Sequence, residues 1–231
     1  MTTTGLVPKL WRTIKFIFFW LIIAQLVMIL YGRWCNPPIT FTQLGSLLDG
    51  SDLQRSYVSH SNVSPYLRLA VLASEDQEFL DHEGIDWDEI ERAQKWNKTH
   101  KSKRGGSTIS QQTAKNFFLW QGRTYLRKGL EVYFTKMIEW TWSKQRILDC
   151  YLNIIEMGKG IYGAQAAAQH YYHKSAKDLS MIECSYIAAL LPNPKVYTIV
   201  PLHPKVKLRQ PRILRQMNNI KDDADIKEFI Q

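Results

Sequence analysis

The sequence predicts a mainly α-helical domain carried on one N-terminal transmembrane helix. Three observations make that prediction. Phe16 to Tyr31 is apolar apart from Gln25, and with its flanks it approaches the roughly 20 residues that span a bilayer. The rest of the chain shows one helix-start signal after another. Nowhere in it is there a convincing two-residue alternation of a strand, and no repeat. The 231 residues suit one ordinary domain plus a tether. A charged fraction of 22% marks the body as soluble in type rather than polytopic, and 45% apolar residues suffice for a core.

The tether comes first. Lys9, Arg12 and Lys15 precede the apolar run and only Arg33 closely follows it. The positive-inside rule therefore keeps the N-terminus cytoplasmic and puts the body across the membrane. Trp11, Tyr31 and Trp34 suit an interfacial belt. A cleaved signal peptide is the competing reading. It is disfavoured because the run is long and no small-x-small site follows it.

The body begins after Asn36-Pro37-Pro38 with a connector, to about residue 62, in which the signals are weak. Ser64-Pro65 is a helix start, Ser as N-cap and Pro at the first position. Leu67, Ala70, Val71 and Ser74 share a face, so Glu75 falls near the end of that helix. Asp86 to Glu89 reads as a capping box. Lys95 to Arg104, with five basic residues and no acid, reads as a mobile basic loop or a plain solvated one. Thr108 starts a helix that runs through Phe117-Phe118-Leu119-Trp120 to about Gly122, and Thr124 starts the next. Ser143 caps another that ends at Gly158. Ala164 to Tyr172, the helix opened by Ser180, and a basic helix over roughly 206–219 complete the series. The domain reading is 1–35 anchor, 36–62 connector and 63–231 body.

Net charge is +9, which favours anionic partners. Much of the excess lies beside the membrane run and between Lys95 and Arg104, so nucleic acid ranks last among them. Cys35, Cys150 and Cys184 are odd in number and widely spaced, which argues against a disulfide framework or a zinc site.

Three clusters are candidates for chemistry. Glu75-Asp76, with His82 nearby, places a carboxylate at the end of a buried helix, where a raised pKa suits a general base. A solvated acid pair is the ordinary alternative, and hydrogen bonding is the ordinary role for His82. Gly105-Gly106 running through Ser107 into Gln111, Gln112, Lys115 and Asn116 offers a helix N-terminus to an anion. Its alternative is a hinge with a polar face. The spacing excludes a Walker loop. Arg127, Lys128 and Glu131 stand at i, i+4 and i, i+3, either as a surface ion pair or as a second carboxylate beside phosphate-binding cations.

Together these segments resemble the peptidoglycan glycosyltransferases, the polymerase family shared by class A penicillin-binding proteins and their monofunctional relatives. The match runs through Glu75 to Gly84, Gly106 to Asn116, Arg127 to Glu131 and Lys144 to Asn153. It continues from Gly160 and Gly163 to Lys174, with Leu190 to Pro194 beyond, in all covering about residues 60–217. The resemblance implies a lysozyme-like helical glycosyltransferase fold with a small membrane-dipping lobe, to which Phe117 to Trp120 would belong. It implies lipid II and the growing glycan strand as substrates, with inversion at the anomeric carbon and release of undecaprenyl diphosphate. Glu75 would be the general base. Glu131 would be the second catalytic carboxylate, organising the donor site and its diphosphate or a metal. Lys115, Arg123 and Lys128 would bind phosphate. Ser107, Gln111, Gln112, Asn116 and Asn153 would line or support the cleft. No cofactor is obligatory, and Mg²⁺ or another divalent cation is compatible. The implied location is the bacterial inner membrane, in contact with its lipids, with the body periplasmic. Penicillin-binding transpeptidases and division proteins are the implied protein partners.

The residues give that chemistry independent sense. A glycosidase must protonate a poor leaving group and needs a second carboxyl as acid. A lipid diphosphate already leaves well and needs cations instead. Neither Ser-x-x-Lys nor Lys-Thr-Gly occurs, so the resemblance is to the monofunctional form and no covalent β-lactam target is expected. A lysozyme-like lytic enzyme and a non-catalytic cell-wall scaffold are the rival functions.

Overall fold

The structure, a computed structural model, describes residues 6–50, 52–100, 104–122 and 124–231. The chain divides into two units, Met1–Cys35 and Asn36–Gln231. Among its described residues the first holds one helix, α1, Leu6–Gly32, long and apolar enough to cross a membrane. At 1.5 Å per residue it extends about 40 Å, more than the ~30 Å hydrocarbon core.

The second unit is helical around α3, Pro65–Glu75. Ser64 Oγ caps it by accepting the Tyr66 N–H, and Pro65 occupies the first turn. Every residue from Leu67 to Ala73 is buried, as expected of a helix surrounded on all sides. Around it lie α9, Met181–Leu190, α10, Pro204–Ile220, and α11, Ala224–Ile230. A second group gathers on α5, Ile109–Phe118, which packs against α6, Tyr125–Thr141, α7, Lys144–Ile154, and α2, Phe41–Leu48. The remaining helices are α4, Trp87–Thr99, and α8, Ala164–Tyr172.

Several sequence expectations are corrected. Strands exist: β1, Gln54–Arg55, pairs parallel to β3, Ile161–Tyr162, which pairs antiparallel to β2, Glu156–Gly158. Segments of two or three residues carry no readable alternation. Gly158 therefore lies in a strand, and α7 stops at Ile154. The basic loop is shorter than expected, because α4 continues to Thr99 and takes in Lys95 and Lys98. Arg104 is held by Glu89 and Asn97, and residues 101–103 lie outside the described ones. Helix α5 stops at Phe118. Phe117, Phe118 and Leu119 are buried within the chain, with Phe118 stacked on Phe134 and Phe117 edge-on to Trp142. Of that run only Trp120 is exposed. The weak-signal connector contains α2 and β1, and the acidic C-terminal tail forms α11.

Candidate active site

The site forms where α3 ends and α5 begins. Glu75 is the last residue of α3 and is half-buried. Its Oε2 accepts a hydrogen bond from Gln112 Nε2 at 3.0 Å. Gln112 is oriented in turn by Tyr151, whose hydroxyl donates to Gln112 Oε1 at 3.5 Å. Burial pushes the Tyr151 phenol well up, with the Glu75 and Asp76 charges adding to it, so it stays a donor. Burial also raises the Glu75 carboxyl above the ordinary carboxylate range. The Gln112 bond and the charge of Arg209 oppose that rise, and Asp76 adds to it. Desolvation prevails, which is the condition for a base poised toward neutral pH.

Asp76 does different work. Its Oδ2 accepts the backbone N–H of Ile109 at 2.9 Å, and its oxygens receive His82 Nε2 at 3.0 and 3.1 Å. His82 Nδ1 accepts the Gly84 N–H at 3.0 Å, which leaves Nε2 to carry the donated hydrogen. Gly84 must be glycine: its φ is +85°, and a Cβ there would stand 2.7 Å from Glu139 Cγ. The Thr108 hydroxyl donates to Gly84 O at 2.6 Å. Thr108 and Gln111 also form a full capping box. The start of α5 is thus occupied by the chain's own groups. At the helix N-terminus that the sequence offered to an anion, Asp76 takes the Ile109 N–H and Thr108 takes that of Gln111.

The anion-binding potential lies one turn further on. Lys115 is three residues past Gln112 on α5, about 4.5 Å along the axis. Its ammonium has no hydrogen-bond partner among the described residues. Burial lowers its pKa, with Arg127 and Lys128 lowering it further and Glu131 opposing. Glu131 is buried on α6 and holds two cations: Arg127 Nη1 on Oε2 and Lys128 Nζ on Oε1, both at 2.5 Å. Arg127 Nε also donates to Gly122 O at 2.7 Å. One helix face therefore joins a half-buried carboxylate to a cluster of cations. A family model described as "Transglycosylase" matches residues 42–218.

The chain belongs to the transglycosylase family. Relatives agree over nearly its whole length. A biosynthetic peptidoglycan transglycosylase of Haemophilus influenzae is 46% identical over 222 residues, covering 92% of this chain and 88% of that one. One from Pseudomonas fluorescens is 45% identical over 216 residues, covering 91% and 90%. One from Bacteroides thetaiotaomicron is 47% identical over 199 residues, covering 85% and 80%. The chain is accordingly an enzyme of the transglycosylase family, and the resemblance read from its motifs holds.

Around this candidate site the sequence candidates separate into two sets. Glu75, Gln112, Lys115, Lys128 and Glu131 stand together. Ser107 is exposed at the approach to α5. Gln111, Asn116 and Asn153 are buried and support the frame. Gln111 closes the capping box. Asn116 ties α5 to α2 through Thr42 and to Gln121. Asn153 clamps both the N–H and the C=O of Val58, at 2.8 and 3.0 Å, and Gly163 (φ +84°) makes room beside it. Arg123 lies outside the described residues. Residues not singled out from the sequence are Tyr151, the Asp76–His82 pair in its capping role, and Arg209, whose Nε is buried without a hydrogen-bond partner. Glu139, holding Ser110 and Lys144, also went unread. Both oxygens of Glu131, the residue considered for a metal, face cations, and among the described residues no group of three His, Cys, Asp or Glu side chains could hold a metal ion.

Proposed function

We propose that this chain polymerises lipid II into glycan strands. The acceptor hydroxyl, the 4-OH of its N-acetylglucosamine, gives its proton to Glu75. The freed oxygen forms a bond to the anomeric carbon of the growing chain's terminal N-acetylmuramic acid. The bond from that carbon to the diphosphate breaks, and its electron pair leaves on undecaprenyl diphosphate. Attack opposite the leaving group inverts α to β. Lys115 and Lys128 offset the charge gathering on the diphosphate, and Arg127 and Glu131 hold that cation cluster in place. Gln112, fixed by Tyr151, aims the Glu75 carboxylate.

The observation that carries this reading is the run of α5 from Gln112, which touches Glu75, to Lys115, which faces the cluster on α6. A lytic enzyme needs the carboxylate but has no use for buried cations a turn away. The names of the relatives, all biosynthetic peptidoglycan transglycosylases, point the same way. The charge asymmetry around α1 supports a cytoplasmic N-terminus and a catalytic unit outside the inner membrane, where a polyprenyl substrate would lie. The test is to incubate the full chain with labelled lipid II and, separately, with finished glycan. Polymer from the first and no shortening of the second is the expected result. Shortened glycan would establish the lytic reading, and no change in either would leave the scaffold reading.

A further inference from the structure

Helix α2 is built inside out. Its polar residues Thr42, Gln43 and Ser46 are buried, whereas Phe41, Leu44, Leu47 and Leu48 are 54, 41, 46 and 80% exposed. An eight-residue helix on a soluble body ordinarily does the reverse. Distant groups hold the polar face inward, although Gln43 Nε2 is buried without a hydrogen-bond partner. Thr42 Oγ1 donates to Asn116 Oδ1 at 3.2 Å and accepts from Gln121 Nε2 at 2.7 Å. Tyr162 donates its hydroxyl to Thr42 O at 3.2 Å and pairs with Ser46 Oγ at 2.6 Å. The orientation is therefore fixed by hydrogen bonds, and the apolar strip is left outward by construction.

We propose that this strip docks α2 on the bilayer surface as an interfacial helix. Three observations select lipid over a protein partner. Only eight residues, 33–40, separate α2 from the membrane-spanning α1. No charged residue occurs between Asn36 and Leu48, and Ile39, in the same stretch, is also exposed. The strip itself offers no donor, acceptor or charge to set a register with another protein. Isolated apolar strips on a monomer mark contact sites, and one with no polar pattern suits a fluid apolar medium. Docking would hold Asn116, and with it α5, at the lipid surface. The inference rests on α1 spanning the membrane and is independent of the sugar chemistry.

The experiment uses the full chain with Cys35→Ser, since Cys150 and Cys184 are buried. It is reconstituted in phosphatidylethanolamine–phosphatidylglycerol vesicles. Nitroxide labels are placed singly at Leu44→Cys and Leu48→Cys, with Ile17→Cys in α1 and Asp222→Cys as reference positions. Collision with dissolved oxygen is compared with collision with a water-soluble nickel complex. Labels at 44 and 48 are expected to give oxygen-to-nickel ratios several-fold above that at 222 and shifted toward that at 17. Ratios equal to that at 222 would overturn the proposal. So would labels screened from both reagents and released on dilution into more lipid, which would indicate a second copy. A water-like ratio at 17 would remove the anchor and the docking together. Leu47→Cys supplies another label site on the strip should either of the first two disturb α2, and circular dichroism checks each fold.

Discussion

One turn of α5 separates the residue that touches Glu75 from the lysine that faces Glu131, yet the two carboxylates live in opposite company. Glu75 has a single neutral amide on it and is raised by burial. Glu131 has a cation on each oxygen and is buried all the same. An acid left short of partners can take a proton, while an acid saturated with cations can only hold them in place. On the proposed mechanism the two carboxylates thus divide into a proton acceptor and a holder of cations according to their neighbours.

The largest expected effect tests the reactive half. Glu75→Gln should lower lipid II turnover by ~10²–10⁴-fold, the range for losing a general base. The same change should leave Tm equal or higher. A carboxyl whose folded pKa is raised adds stability only below its unfolded pKa and loses it as pH rises, so at neutral pH the ionised group is a net cost. A marked fall in Tm would mean that Glu75 is structural and the contrast is misplaced. Glu131→Ala tests the other half. Removing one partner of a buried pair typically costs ~3–5 kcal/mol, read in a denaturant titration. Unchanged stability would break the comparison. Lys115→Met should cost ~10–100-fold in kcat/KM, equivalent to a charged hydrogen bond of ~1.5–3 kcal/mol.

The pH profile sharpens the contrast. Wild-type activity should rise through an acid limb above the usual carboxylate range, as Glu75 ionises. It should fall through an alkaline limb below the usual lysine range, as Lys115 loses its proton, and that limb should vanish in Lys115→Met. The smallest effect belongs to Gln112→Ala. It should slow turnover by ~2–12-fold, the worth of one neutral hydrogen bond of ~0.5–1.5 kcal/mol. It should also move the acid limb upward, because the lost bond favours the charged form. A downward move would deny Gln112 its role.

Features local in sequence were legible. The caps at Ser64, Asp86, Thr108, Ser143 and Ser180 all form, since each needs only its own first turn. The Arg127–Glu131 and Lys128–Glu131 pairs follow from helix spacing. What failed depends on distant partners. Helix α2 was unreadable because Asn116 and Tyr162, far along the chain, reward polar residues on its inner face. Arg209 reaches Glu75 from α10, and Asp76 meets Ile109 across a whole helix, so no local spacing announces either. The strands are too short to display a period. At Thr108 the local signal was right: the helix start is real, but the acid that accepts its Ile109 N–H was counted with Glu75 as one acidic pair.

The cap that Asp76 places on α5 bears on ligand design. Helix N-termini invite phosphate mimics, and a chemist scanning this fold would aim a sulfonate or phosphonate at the glycine-rich turn. At that docking point a ligand competes with an internal carboxylate, because Asp76 already accepts the Ile109 N–H. Anionic groups have to be delivered to Lys115 instead, and a scaffold reaching from there to the Glu75 carboxylate needs to span little more than one helical turn.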